Sequence, residues 1–312
     1  MLDPAELYRF ESPDDGASPV MVEPPLVVAL SGFVDAGSGV RLAVDHLLQH
    51  FPHEVLARFD VDQLHDYRAR RPTMTFATDH WSAYDAPELA LRRLHDASGG
   101  SFLLLSGPEP DVQWERFNAA FWQLADQVGA ALVVVLTAAP TSVPHTRPTG
   151  VTGSASRPEL LEGVRTWAVE AQVPGHATGL LQFRGAEGGR DVLSLVAHVP
   201  HYLAAGEYPD AAAALLTSLG GRAGLDLPVD ELLSAAAATR VEVDAQVEAS
   251  AEVGAVVRAL EQDYDAQAAD LAGGLVAEGQ PIPTADELGA EFERFLADAV
   301  DDPKDDGGQG GT

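Results

Sequence analysis

The residues of this chain that could do chemistry sit in short loops rich in Gly, Pro and Asp. Ser31-Gly-Phe-Val-Asp-Ala-Gly-Ser-Gly39 leads from a predicted strand into a predicted helix. Such a passage aims backbone N–H groups at whatever lies before the helix, which suits an anion. It is not a Walker loop, because no Gly-Lys-Ser/Thr follows. It also departs from the dinucleotide pattern, because Gly37-Ser-Gly-Val-Arg-Leu42 ends in Leu where Gly is needed. Gly32 makes the turn, and Asp35 would repel a phosphate; its plainer role is to cap the helix. Arg68, Arg70 and Arg71 form a tight cationic cluster that could fork onto a carboxylate, a phosphate or a neighbouring subunit's acids. Pairing with Asp60, Asp62, Asp66 or Asp79 competes with that use.

Gly107-Pro-Glu-Pro-Asp111 follows another predicted strand, the position where active-site residues gather in open α/β sheets. Glu109 and Asp111 could act as acid and base, whereas Asp111 also suits the N-cap of the helix that follows. Two phrases, Val143-Pro-His-Thr-Arg-Pro148 and Val199-Pro-His-Tyr-Leu203, bring His145, Arg147, His201 and Tyr202 into consideration as ligand or interface residues. His198 lies three positions before His201. A metal needs a third ligand that this spacing does not supply, so no metal is expected. No Gly-x-Ser-x-Gly nucleophile elbow occurs. Cysteine is absent and Lys304 is the sole lysine, which excludes thiolate, disulfide and core Schiff-base chemistry. No catalytic residue and no cofactor is assigned.

These loops need a scaffold. Leu26 to Leu30, Ala130 to Leu136 and Val192 to Val199 are apolar runs that predict buried strands, and Glu54 to Val61 alternates as a half-buried one. Thr73 to Ala77 is a further short candidate. Leu89 to Leu94 and Ser101 to Leu105, joined by Asp-Ala-Ser-Gly-Gly, predict a hairpin. Helices are predicted from Ala36 to His50, from Pro110 to Val128, where Trp114, Phe117, Phe121 and Leu124 make the stripe, and from Pro209 to Leu219. Strands alternating with helices imply a layered α/β domain with a mixed, largely parallel sheet. Beyond Pro228 the composition turns helical, over Val229 to Ala238, Val241 to Leu271 and Ala285 to Val300. The expected division is an extended segment over 1–24, an α/β core over 25–227, an acidic helical appendage over 228–300 and a disordered tail over 301–312.

The 312 residues carry 48 acids against 19 Lys and Arg, a net charge of −29, and 20 of those acids lie from Asp230 onward. Such a surface repels phosphate backbones and anionic lipid heads, so neither nucleic acid nor membrane is an expected partner. Met1 to Val22 lacks the basic start and apolar stretch of a signal peptide, and the longest apolar run, Ala130 to Ala139, is too short to span a bilayer. A cytoplasmic protein is expected.

Leu30-Ser-Gly-Phe-Val-Asp-Ala-Gly37, Asp66-Tyr-Arg-Ala-Arg-Arg-Pro72, Leu105-Ser-Gly-Pro-Glu-Pro-Asp111 and the two Val-Pro-His phrases, in this order, resemble the actinobacterial branch of the proteasome assembly chaperone 2 family. The resemblance runs from about Pro25 to about Leu233. It implies a fold similar to purine nucleoside phosphorylases and peptidyl-like hydrolases, and a non-catalytic, self-associating protein, a homo-oligomer expected to be a trimer, that handles protein clients as an assembly chaperone does. Relatives dock on the proteasome through a hydrophobic-tyrosine tail, and Gly308-Gln-Gly-Gly-Thr312 does not match it. The alternative is a small-ligand binder or enzyme with an acid–base site formed by the Gly32, Gly107 and Pro144 loops. Convergence of Asp35, Glu109, His145 and an arginine would favour that alternative; loops packed onto one another would favour the first reading.

Overall fold

A strand whose every side chain is apolar has to be covered on both faces. Leu26 to Leu30 is such a strand. The computed structural model, which describes residues 2–11, 23–167 and 170–272, buries all five side chains. Leu26, Val28 and Leu30 pack with Phe117, Phe121 and Leu124 on one face, and Val27 and Ala29 with Val40, Leu47 and Leu216 on the other. Each large side chain buried in this way contributes about 1.5–3 kcal/mol.

The strands are β1 (Tyr8–Phe10), β2 (Pro25–Ser31), β3 (His53–Phe59), β4 (Met74–Ala77), β5 (His80–Tyr84), β6 (Ala90–His95), β7 (Ser101–Pro108), β8 (Leu132–Thr141), β9 (Val151–Ala155) and β10 (Val192–Pro200). Eight of them form one sheet in the order β1-β3-β6-β7-β2-β8-β10-β9, and β4 and β5 form a separate hairpin. The four central strands, β7, β2, β8 and β10, are parallel, and the flanking strands pair antiparallel. The mixed α/β fold read from the sequence is the fold observed. Gly107 near the end of β7 has φ of +143°, and a Cβ there would run into the Glu88 carbonyl, so only glycine fits.

Helices α1 (Gly39–His50) and α4 (Pro209–Ala223) cover one face, and α2 (Trp114–Gln127) and α3 (Ala177–Glu187) cover the other. Two more, α5 (Asp230–Glu248) and α6 (Ala251–Ala272), follow. The expected break after Ala238 is absent: with no Gly or Pro from Ala235 to Glu248, α5 runs on. The chain breaks instead at Ser250, whose hydroxyl accepts the Val253 N–H. Leu232, Ala236 and Val243 are buried, and Leu232 belongs to the core cluster that α4 forms with the sheet. The expected 1–24 segment contributes an edge strand, β1, and a 3-10 turn, Pro4–Leu7, with Leu7 fully buried. The predicted helix over Ala285 to Val300 and the tail over 301–312 lie outside the described residues.

Candidate functional site

Because β7, β2, β8 and β10 run parallel, their carboxyl ends share one edge of the sheet, and the loops singled out above leave from that edge. Gly32 and Asp35 follow β2, Glu109 and Asp111 follow β7, His145 and Arg147 follow β8, and His201 and Tyr202 follow β10.

The Asp35 carboxylate accepts the Val40 N–H at 2.7 Å and the Arg41 N–H at 3.3 Å, in the first turn of α1. Burial raises its pKa against the pull of these two N–H groups. Glu109 is buried and accepts the Phe33 N–H at 3.0 Å and the Ala177 N–H at 2.6 Å, fastening the β2 loop to the start of α3. Gly32 permits this approach, since a Cβ there would collide with the Glu109 carboxylate. Asp111 does not cap α2. Gln113 occupies the cap in left-handed conformation, with no side-chain cap bond. The Asp111 carboxylate instead accepts the Asp66 N–H at 2.6 Å and pairs with Arg70 at 2.7 Å. Burial alone would raise its pKa, but Arg70 and the Asp66 N–H hold it below the usual carboxylate range. Arg70 also donates to the Glu109 carbonyl. Its partner is thus Asp111, not one of the four aspartates nearer in sequence, because the chain folds back from β7. Arg68 and Arg71 are exposed and form no ion pair among the described residues.

The two Val-Pro-His phrases meet because β8 and β10 are neighbours, with Thr141 opposite Pro200. The Tyr202 hydroxyl accepts the His145 backbone N–H at 2.9 Å and lies 2.7 Å from His145 Nδ1. His145 Nε2 lies 3.0 Å from the Asp244 carboxylate of α5. One proton arrangement satisfies all three: Nε2–H donates to Asp244 and Tyr202 O–H donates to Nδ1. Arg147 holds Asp265 of α6 through two bonds of 2.8 and 2.6 Å and reaches Glu261 at 3.3 Å. The Val143–Pro148 phrase therefore clamps the acidic helices. His201 is exposed and sets its ring edge-on to Tyr202.

Asp35, Glu109 and His145 share no hydrogen bond, and each is committed to a different loop or helix. Among the described residues, Asp35, Glu109 and His145 are not brought together with an arginine; Arg70 gathers with Asp111, the Glu109 carbonyl and His65, whose Nδ1 lies 3.6 Å from the Asp111 carboxylate. Among the described residues no group of three His, Cys, Asp or Glu side chains could hold a metal ion.

Two features escape a reading of the sequence. The hairpin β4–β5 exposes Met74, Phe76, Trp81 and Tyr84, all between 47% and 62% accessible. Met74 pairs with Tyr84 and Phe76 with Trp81 across the hairpin, so the four share one face; the Phe76 and Trp81 rings meet edge-on with centroids 5.2 Å apart. Only the β4 half is legible in the sequence, because a register shift between Thr75 and Phe76 breaks the alternation. The other feature is a cavity of about 830 Å³ lined by Arg165, Arg222 and Arg240 among others. These arginines are scattered along the chain, and no motif marks them.

A model of the PAC2 family matches residues 29–247. The crystal structure of a Mycobacterium tuberculosis protein of unknown function is 43% identical, covers 94% of this chain and 96% of its own, and superposes with a TM-score of 0.80. A PAC2 family protein from Streptomyces avermitilis is 31% identical over 75% of this chain and 99% of its own, with a TM-score of 0.66. A Mycobacterium tuberculosis proteasome-assembly chaperone homologue, 24% identical, has the same fold over 75% of this chain and 99% of its own, with a TM-score of 0.69. No curated protein matches the sequence. With a family match over more than half its length and relatives of this identity, the chain belongs to the PAC2 family.

Proposed function

We propose that this chain is a non-catalytic, self-associating protein that acts through protein–protein contacts in the manner of an assembly chaperone, with the β4–β5 hairpin as its contact surface. The observation that carries this reading is the exposed apolar face of Met74, Phe76, Trp81 and Tyr84. A two-stranded hairpin is marginally stable by itself in water, and a contiguous apolar patch on a soluble chain marks an interaction site. Arg68 and Arg71, just before β4, are exposed cations without an ion-pair partner among the described residues, on a chain of net charge −29. A second copy offers carboxylates to both. The commitment of Asp35, Glu109 and His145 to separate structural partners supports the non-catalytic half of the reading. The proteasome-assembly chaperone homologue with the same fold makes a proteasome-type assembly the client class to test.

The test is light scattering at micromolar concentration on the wild-type chain and on the double variant Phe76→Ser, Trp81→Ser. The expected result is a trimer for the wild type and a monomer with unchanged circular dichroism for the variant. A variant that stays trimeric removes the hairpin from the interface.

A further inference from the structure

Helix α4 carries two unlike faces. Leu215, Leu216 and Leu219 pack into the core, while Ala214, Thr217, Ser218 and Arg222 line the cavity of about 830 Å³. Leu233 and Arg240 of α5 line it too, as do Val164, Arg165 and Leu195. The volume falls within the roughly 300–1,000 Å³ of small-molecule sites.

The charge of this lining opposes that of the chain. Arg147, Arg165, Arg222 and Arg240 face it against one carboxylate, Asp210, although the chain as a whole carries −29. Asp210 accepts two bonds from Arg240, at 2.9 and 3.2 Å, so that pair is internally compensated. Arg147 is compensated by Asp265 and Glu261. Arg222 differs: it donates to the Glu162 and Gly163 carbonyls, which hold the guanidinium in place without cancelling its charge. Arg165 forms no ion pair among the described residues. Two uncompensated guanidinium groups therefore face one cavity, with the Thr217 and Ser218 hydroxyls beside Arg222 on α4 and an apolar lining from Val164, Ala213, Ala214 and Leu233. Guanidinium groups fork onto carboxylates and phosphates, and hydroxyls complete such a cradle.

We propose that this cavity binds a small organic anion, a carboxylate or phosphate on an apolar body, with Arg165 and Arg222 taking the charged end. The proposal is independent of the hairpin and of self-association. Because α5 supplies one wall, an occupied site also ties α5 to α4.

The test is isothermal titration of the full chain with sodium octanoate, with octyl phosphate and, as a neutral control, with 1-octanol. Saturable binding of at least one anion is expected, with one site per chain, weakened about tenfold or more by the pair Arg165→Gln, Arg222→Gln and weakened by about 0.5 M chloride. The preferred anion tells carboxylate from phosphate. The variant Ala214→Trp narrows the cavity while keeping every cation, and it should weaken binding while leaving the melting temperature near that of the wild type. If neither anion saturates, if 1-octanol binds as tightly, or if the arginine variant binds the anions as tightly as the wild type, the proposal is wrong.

Discussion

His198 on β10 shows how burial at a single residue sets a pH dependence. Its Nε2 lies 3.0 Å from the Thr152 hydroxyl, and the Trp167 ring stands edge-on to it. Burial first, and the Arg165 charge second, lower its pKa to about 4. Unfolded, it titrates near 6.5, so between 6.5 and 4 the unfolded chain binds the proton that the folded chain refuses. Stability is fully present above pH 6.5 and falls by up to about 3 kcal/mol as the pH drops to 4. Urea midpoints at pH 7 and 4.5 should show that loss in the wild type and a smaller one in His198→Asn; equal losses would contradict the assignment. Asp111 acts in a lower window. Its folded pKa is depressed below 3.8, so its contribution is present above that value and lost as the pH falls through the folded one. Asp111→Asn should cost about 2 kcal/mol at pH 7 and progressively less below pH 4, read by the same titrations. Asp35→Ala should cost about 1–2 kcal/mol, the loss of a helix cap, with no turnover to lose in a hydrolase and phosphorylase screen. An activity that vanished with it would contradict the non-catalytic proposal. The capping of α1 by Asp35 was readable from position alone. The partner of Arg70 was not, since an aspartate ahead of a helix looks the same whether it caps or is claimed by a cation brought in from another loop.

Among the elements, those with a strong apolar period were legible. Leu26 to Leu30, Ala130 to Leu136 and Val192 to Val199 announce the parallel centre of the sheet, and the Phe117, Phe121, Leu124 stripe announces α2. Helix α3 was silent because most of its buried residues are small: Ala177, Thr178 and Gly185 beside a single Leu181. Edge strand β9 reads as loop because Val151-Thr-Gly-Ser-Ala155 has one large apolar residue and depends on β10 for its order. The clamp on α5 and α6 also depends on distant partners. Exposed ion pairs such as Arg147 with Asp265 are worth roughly 0–1 kcal/mol each. Arg147→Ala should therefore leave the global melting temperature within a few degrees while raising amide exchange in α6; unchanged exchange would show that the clamp does not hold the helix. Leu232 and Ala236 of α5 are buried, and Leu232 lies in the same cluster as Leu216 and Leu219, so truncation after Gly221 should lower the melting temperature. A truncated chain that melts with the wild type would make the appendage an independent unit.

At the scale of the whole molecule, this PAC2 chain ties the loops at the edge of its sheet to one another and leaves the apolar face of the β4–β5 hairpin exposed, the surface proposed for self-association. The phrases that made the family legible are loops with structural duties in this chain: Gly32 making room for Glu109, Asp35 capping α1, and His145 meeting Tyr202. The exposed hairpin face was not legible, since an exposed Phe or Trp is indistinguishable in sequence from a core one. Likewise, no linear motif could show that Arg165 and Arg222 line one cavity. Among the described residues no helix is long and apolar enough to cross a membrane. The measurement that tests self-association most directly is native mass spectrometry of the full-length chain, purified and in lysate. The account predicts a species of about three times the 32.9 kDa chain mass, persisting at micromolar concentration. A 32.9 kDa monomer across the whole concentration range would contradict it.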